Sequence, residues 1–116
     1  MSKDFWDEIV LPRIKRAVRI VVDASAHTIV DRRPGQWKLF GVDFVLDNNL
    51  YPWLVDWNAF PGWDWSYRHI WALRYRRRIL GDMWRLVLDT QRGEALKDSY
   101  EAPRSAGFEL VYHGSN

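Results

Sequence analysis

Residues 37–58 read WKLFGVDFVLDNNLYPWLVDWN, two apolar stretches with a short polar turn between them. Both stretches are rich in β-branched and aromatic residues, which favour strands, and Asn48-Asn49 tolerates the positive φ of a tight turn. The segment therefore predicts a β-hairpin with strands over Gln36–Asp47 and Tyr51–Asn58. Because the first strand is long and mostly apolar, we expect it to be buried on both faces.

A helical pattern precedes the hairpin. Between Asp4 and Val30 apolar residues recur at every fourth position, with charged residues between them, which predicts an amphipathic helix. Proline is tolerated only in the first turn of a helix. Because of Pro12, we expect the main helix to begin near Leu11, after a separate turn over Phe5–Val10.

A second helical pattern follows the hairpin. We expect this helix to begin at Asp64 or Ser66, which are both acceptable N-caps, and to end near Leu88. Its expected buried stripe consists of Leu80, Met83, Trp84, Val87 and Leu88. A last strand or tail is expected over Gly107–Tyr112. The order of elements predicts one α+β domain over residues 1–116, an antiparallel hairpin flanked by helices.

Composition narrows the possible functions. The chain has 116 residues, of which 47% are apolar and 28% charged, and this suits a small globular protein. It contains no cysteine, which excludes disulfides, thiolate metal sites and thiol catalysis. We find no apolar run long enough for a bilayer and no secretory signal, so we expect a soluble cytoplasmic protein with no membrane partner. The net charge of +2 is too small to indicate nucleic-acid binding by itself.

Three polar residues of the hairpin are candidates for a metal site. Alternation places Asp43 on one face of the first strand, and Asp56 and Asn58 together on one face of the second. Two carboxylates and an amide oxygen are ligands that Mg²⁺ prefers, and they leave positions for phosphate oxygens. Taken alone, these residues favour the simpler interpretation that each acid lies at a strand end and faces solvent.

The sequence around these residues resembles the signature block of the tubulin-tyrosine-ligase-like family. That block reads approximately F-E-L-F-G-x-D-(apolar)-D-x-N-L-x-P-W-L-(apolar)-E-(apolar)-N-x-x-P, and it corresponds to residues 38–61. Residues 78–87 and 107–112 are similar to the helix and the closing segment that follow the block in the family. The resemblance therefore covers most of the chain.

The resemblance implies the C-terminal lobe of an ATP-grasp fold and a ligase that uses ATP and magnesium. In the family the first Asp, the Glu and the Asn of the block bind the magnesium of the nucleotide, and by position they fall on Asp43, Asp56 and Asn58. ATP phosphorylates a carboxylate, and an amine then forms a peptide or isopeptide bond. The implied partner is the acidic tail of tubulin or a similar protein, and the implied location is the cytoskeleton. The chain departs from the block at Asp56, which replaces the longer Glu, and at Trp57.

The resemblance also predicts a limit on activity. In the family the nucleotide lies between two lobes, and the other lobe supplies the phosphate-binding lysines. We find no glycine-rich phosphate loop in this chain, so we expect the chain to be inactive by itself, and the donor amino acid stays open. The alternative is a non-catalytic relative that binds an acidic partner, together with the missing lobe or within a larger assembly.

A band of arginines on the second predicted helix is the candidate surface for such a partner. Arginine forks suit carboxylate-rich tails. The residues assigned to partner binding are Arg74, Arg76, Arg77 and Arg78, with Arg68 and Arg85 in the same band. The simpler interpretation is a solvated helix face, and nucleic-acid binding is a weaker third alternative because no known nucleic-acid motif accompanies the charges.

Overall fold

The computed structural model describes residues 2–28, 35–59, 70–91, 104–105, 107–112 and 114. The fold of these residues is α+β, as predicted. In chain order the elements are α1 (Lys3–Phe5), a π-helical turn (Trp6–Val10), α2 (Leu11–Ala26), β1 (Gly41–Leu46), β2 (Pro52–Asn58), α3 (Ile70–Gln91), β3 (Arg104–Ser105) and β4 (Phe108–Glu109).

The chain divides into two compact units. The first unit takes its residues from 1–34, 38–61 and 111–116, and the second from 35–37 and 62–110. The hairpin of β1 and β2 belongs to the first unit together with α2, whereas α3, β3 and β4 belong to the second. The assignment of residues 1–116 to a single domain stays a prediction.

The N-terminal helix is continuous from α1 through the π-helical turn to α2. The hydroxyl of Ser2 caps its start by accepting a hydrogen bond from the N–H of Phe5 at 3.2 Å. In the π-helical turn the N–H of Leu11 donates to the carbonyl of Trp6, five residues earlier. Pro12 follows and has no N–H to donate. The segment α2 thus begins at Leu11 as predicted, and the turn expected over Phe5–Val10 is present as a π-helical turn over Trp6–Val10, although it is continuous with α2 rather than separate from it.

Several predicted boundaries fall on residues outside the described ranges. These are the N-caps Asp64 and Ser66 of the second helix, whereas the first helix ends at Ala26, before the predicted end at Val30. The second helix continues to Gln91, beyond the predicted end. Of the last strand predicted over Gly107–Tyr112, only Phe108–Glu109 is a strand, and it pairs with Arg104–Ser105.

The hairpin of β1 and β2 is antiparallel, as predicted. The expectation that the first strand is buried on both faces is wrong. Along β1 exposure alternates, with half-buried Val42, Phe44 and Leu46 on one face and exposed Asp43 and Val45 on the other. Among the described residues this sheet has two strands, and α2 packs against β2. A two-stranded sheet that packs against one helix keeps one face open to solvent.

The turn of the hairpin contains three residues, 48–50. The N–H of Asp47 donates to the carbonyl of Tyr51 at 3.0 Å, and the carbonyl of Asp47 accepts from the N–H of Leu50 at 2.9 Å. Leu50 has a φ of 60°. The expectation that Asn48-Asn49 carry the positive φ is therefore wrong, because a three-residue loop places its left-handed residue at the third position. For a leucine that conformation costs about 1–2 kcal/mol.

Arg13 on α2 holds this turn. Its Nη1 donates to the carbonyl of Asn49 at 2.9 Å and to the carbonyl of Leu50 at 3.1 Å. Its guanidinium carbon lies 3.8 Å from the centroid of the Tyr51 ring. Hydrogen bonds from a charged group contribute about 1.5–3 kcal/mol each, which is enough to offset the strain at Leu50.

The C-terminal residues of the first unit lie against α2. Nε of Arg19 donates to the carbonyl of Val111 at 3.0 Å, and the hydroxyl of Tyr112 donates to Oδ1 of Asp23 at 2.9 Å. Arg19 and Asp23 are four residues apart, so they lie on the same side of the helix. The two hydrogen bonds fix the direction in which the C-terminal segment crosses α2.

In the second unit, α3 buries one side of its length. Ala72 and Met83 are buried, whereas Trp84 and Leu88 are exposed. The predicted stripe is thus confirmed at Met83, with Leu80 and Val87 half-buried, and it is wrong at Trp84 and Leu88. The face was predicted from hydrophobicity, and both wrong residues lie toward its edge. Trp84 contacts Trp37 edge-to-face, with ring centroids 6.0 Å apart.

Candidate functional site

Asp43 of β1 lies directly opposite Asp56 of β2. Directly opposed residues of an antiparallel pair point to the same face of the sheet. Both side chains are exposed, and they lie on the open face of the hairpin rather than on the half-buried one. The structure therefore brings the two predicted carboxylates together as neighbours across the strands.

A β-bulge makes this pairing possible. Next to the turn the partners are Val45↔Trp53 and Phe44↔Leu54, and the register then shifts so that Asp43 pairs with Asp56. Val55 is the extra residue on β2. Without the bulge, Asp43 would oppose Val55, and Asp56 would point to the opposite face. The sequence analysis missed this residue, although counting pairs outward from the turn would have revealed the mismatch.

Asn58 joins the pair on the same face. It lies opposite Gly41, two residues from Asp43 on β1, and its Nδ2 donates to Oδ2 of Asp43 at 3.3 Å. Its own strand position, two residues after Asp56, gives the same face. All three residues that the sequence singled out thus share one face, with Asp43 opposite Asp56 and hydrogen-bonded to Asn58.

One carboxylate oxygen of Asp56 accepts a hydrogen bond from the backbone of its own strand. Oδ1 accepts a hydrogen bond from the N–H of Trp57 at 2.8 Å. Trp57 itself contacts Phe40, with ring centroids 5.6 Å apart, on the covered face. This contact anchors the backbone that holds Asp56.

The donor set fits a hard cation. Two opposed carboxylates supply negative charge, and the amide oxygen of Asn58 supplies a neutral ligand, a combination suited to Mg²⁺. Among the described residues no group of three His, Cys, Asp or Glu side chains is placed to hold a metal. A cation here would therefore depend on Asn58 and on ligands from water or phosphate, in addition to the two carboxylates.

Asp47 and Trp53 extend this face toward the turn. Oδ2 of Asp47 accepts from the indole N–H of Trp53 at 3.0 Å, and Oδ1 accepts from the N–H groups of Asn49 and Tyr51, both at 2.9 Å. These hydrogen bonds, that of Trp53 first, lower the pKa of Asp47, and the charge of Arg13 lowers it further. The indole of Trp53 is 63% exposed although its N–H is bonded.

The arginines assigned to partner binding differ in their exposure to solvent. Arg74, Arg77 and Arg78 are exposed. Arg76 is half-buried, because it lies four residues from buried Ala72 and on that side of α3. The Arg78 side chain lies 3.9 Å from the carboxylate of Asp82, and this is a weak surface pair. Arg68 falls outside the described residues.

Two further observations concern a cavity in the second unit and the hydrophobicity of the helices. A cavity of about 200 Å³ in the second unit is lined by Gly35, Gln36, Trp37, Leu86, Val87 and Gln91, a set that contains no ionisable group. In the part of the chain that the structure describes, no helix combines the length and the apolar character that crossing a bilayer requires.

Comparison with known proteins points to one family. A family profile described as "Tubulin-tyrosine ligase family" matches residues 1–73. Tubulin monoglycylase TTLL3 of Danio rerio is 33% identical over 107 residues, which cover 92% of this chain and 13% of that protein. Tubulin glycylase 3B of Tetrahymena thermophila is 29% identical over 113 residues, which cover 97% of this chain and 9% of that protein.

A third relative matches half of the chain at higher identity. Tubulin glycylase 3A of Drosophila melanogaster is 38% identical over 58 residues, which cover 50% of this chain and 6% of that protein. The chain thus spans between 6% and 13% of the length of these relatives. No solved structure matches the chain significantly.

Proposed function

We propose, because the chain belongs to the tubulin-tyrosine ligase family, that it is part of an ATP- and magnesium-dependent ligase that adds an amino acid to tubulin. The relatives reported above are named as tubulin glycylases or monoglycylases, which supports glycine as the amino acid. The sequence alone left this choice open. A tubulin substrate also supports a location in the cytoplasm, at the cytoskeleton.

The observation that carries the proposal is the position of Asp43 opposite Asp56 on the open face of the hairpin. Two carboxylates side by side and facing solvent repel each other, so a bound cation stabilises this arrangement. The hydrogen bond between Asn58 and Asp43 supports the proposal, because it places the amide of Asn58 beside the same carboxylate.

Each residue has a distinct role in this proposal. Asp43 and Asp56 balance the charge of the cation, and Asn58 contributes a neutral oxygen. Magnesium, when bound, would neutralise phosphate charge on ATP. The side chains hold the phosphate end of the nucleotide against the open face, and their part in catalysis is positioning and electrostatic stabilisation.

Binding of Mn²⁺ to the full chain, followed by electron paramagnetic resonance, tests the proposal. We expect Asp43→Asn to weaken binding by at least about tenfold, since the loss of even an outer-shell partner costs about 10–100-fold in metal affinity. Asp7→Asn is the matched control, because it removes the same charge from an exposed position in the N-terminal helix. Equal affinities for the wild type and Asp43→Asn would refute the cation site.

The second candidate function is an acidic-partner module that uses α3. It is favoured by the exposure of Arg74 and Arg78, four residues apart on one side of the helix, beside exposed Trp71 and Tyr75. Arginine, tryptophan and tyrosine are the residues most enriched at protein–protein hot spots. The acidic tail of tubulin has the charge that this surface requires.

A further inference from the structure

The hairpin contains two irregularities that act in opposite directions. The three-residue turn forces Leu50 into the left-handed conformation, and the bulge at Val55 then shifts the register by one residue. A hairpin with a regular, continuous register is also compatible with this sequence. With a four-residue turn over 48–51, the strands would pair continuously, and Asp43 would still oppose Asp56, with neither a left-handed leucine nor a bulge.

The regular hairpin would differ from the observed one over residues 52–55, next to the turn. In it, Leu54 would oppose Val45 and Trp53 would oppose Leu46, so Trp53 would point to the covered face. In the structure Val45 opposes Trp53 and Phe44 opposes Leu54. The two irregularities together therefore leave the carboxylates in place and exchange Trp53 with Leu54 between the faces.

Two side chains stabilise the irregular form. Arg13 donates to the carbonyls of Asn49 and Leu50, and these two oxygens converge on one nitrogen in the three-residue turn. Asp47 accepts from the N–H of Tyr51 and from the indole N–H of Trp53. The indole bond requires Trp53 to lie on the face of Asp47, which a continuous register would not allow.

We infer that Arg13 and Asp47 are positioning residues, which select the three-residue turn and thereby hold Trp53 on the face of Asp43 and Asp56. Trp53 lies two strand positions from the carboxylates, about 7 Å along the sheet. A fixed indole at this distance borders one side of the ligand and partly shields it from water, which strengthens the electrostatic interactions there. The functional meaning of this placement rests on the proposed cation site.

Nuclear magnetic resonance on the full chain tests the inference with two signals. The first is the cross-strand nuclear Overhauser effect (NOE) between the side chains of Val45 and Trp53. The second is the relaxation that bound Mn²⁺ causes at the indole N–H of Trp53, assigned with a Trp53→Phe variant. Because this relaxation falls with the sixth power of distance, moving the indole to the other face, about twice as far away, lowers it by more than about tenfold.

The test variant is Arg13→Gln combined with Asp47→Ala, and the matched control is Arg16→Gln, which removes a charge from an exposed position on the same helix. In the double variant we expect Val45 to lose its NOE to Trp53 and gain one to Leu54, while Mn²⁺ affinity is retained. The control should match the wild type in both signals. Retention of the Val45–Trp53 NOE and of the indole relaxation in the double variant overturns the inference.

The two proposals fail in different ways. If the wild-type chain binds no Mn²⁺, the proposed function is refuted, and the NOE alone then decides whether Arg13 and Asp47 set the register. If the double variant does not fold, Arg13→Gln alone, which keeps the indole bond of Asp47, is measured in its place. An unchanged Val45–Trp53 NOE in that variant, together with unchanged relaxation, counts against the inference.

Discussion

The carboxylate of Asp82 on α3 occupies the space that a Cβ atom on Gly107 would need. Gly107 precedes β4 and has a φ of +81°, a conformation that residues with a side chain rarely adopt. We therefore expect Gly107→Ala to lower the free energy of unfolding by at least about 1 kcal/mol, through backbone strain and through displacement of Asp82. Urea denaturation, followed by tryptophan fluorescence, measures the change. Wild-type stability in this variant would contradict the close contact.

Gly81 provides the opposite case within the same unit. It lies in the middle of α3, has no positive φ, and a Cβ atom there would meet nothing within 4 Å. Glycine inside a helix is less stable than alanine by about 0.5–1 kcal/mol. Gly81→Ala should raise the free energy of unfolding by that amount, measured by urea denaturation, and a decrease would show that α3 requires the glycine for a reason outside the described contacts.

The stability of the first unit should depend on pH through Asp47. Its pKa is lowered by the hydrogen bonds from Trp53, Tyr51 and Asn49 and by the charge of Arg13. A pKa that is lower in the folded state adds stability above the unfolded value of about 3.9, and this stability is lost as the pH falls through the folded pKa. We expect thermal stability to fall below about pH 4, and Asp47→Asn to reduce that dependence. Asp7→Asn should leave the pH profile unchanged.

The purified chain should not turn over ATP by itself. The residues that the structure brings together on the hairpin form the proposed cation site, and the sequence shows no glycine-rich phosphate loop that would complete a nucleotide site. A phosphate-release assay with tubulin and glycine should give the background rate. ATP-dependent ligation by the chain alone would overturn this prediction and would show that the hairpin suffices for catalysis.

The arginines of α3 separate the two candidate functions. Replacing Arg74, Arg77 and Arg78 with Gln should weaken binding to glutamate-rich tubulin-tail peptides, and added salt should have the same effect, because exposed charges are screened within about 8 Å at physiological ionic strength. The fold should be retained, since surface substitutions change stability by less than about 0.5 kcal/mol each. Arg76→Gln is the matched comparison, and we expect it to affect stability more than binding because its side chain is half-buried.

If the triple variant binds the peptides as tightly as the wild type, α3 is a solvated face and the acidic-partner module loses its support. If the triple variant unfolds, the arginines pack or pair within the unit, and both surface interpretations of α3 fail. Fluorescence anisotropy of a labelled peptide, measured at two salt concentrations, distinguishes these outcomes.

The hairpin strands could be predicted because alternation and β-branched residues follow from the sequence directly. The register in which the two strands pair could not be predicted. The left-handed conformation belongs to Leu50 rather than to the asparagines, because Arg13, 36 residues from Asn49 in sequence, bonds to the turn. The bulge at Val55 likewise depends on the turn length. The contact from Arg13 is tertiary, and no local pattern in the sequence contains it.

The candidate site likewise has some features that the sequence predicts and others that it does not. The identities of Asp43, Asp56 and Asn58 could be predicted from a recognised block, whereas the neighbouring Trp53 could not, because strict alternation along β2 places it on the opposite face from Asp56. The burial of the first strand was also overestimated. The first strand has the apolar composition of an interior strand, but one of its faces is open to solvent in this chain.

The π-helical turn over Trp6–Val10 has a consequence for how the N-terminal helix tolerates changes in length. A π turn contains one residue more than an α turn, so it rotates everything before it by about 100° relative to α2. Deletion of one residue from this turn would restore α-helical hydrogen bonding. Phe5 would then rotate about the helix axis, while Val10 and the residues of α2 would keep their positions. The first turn of the helix can thus be redirected without disturbing α2.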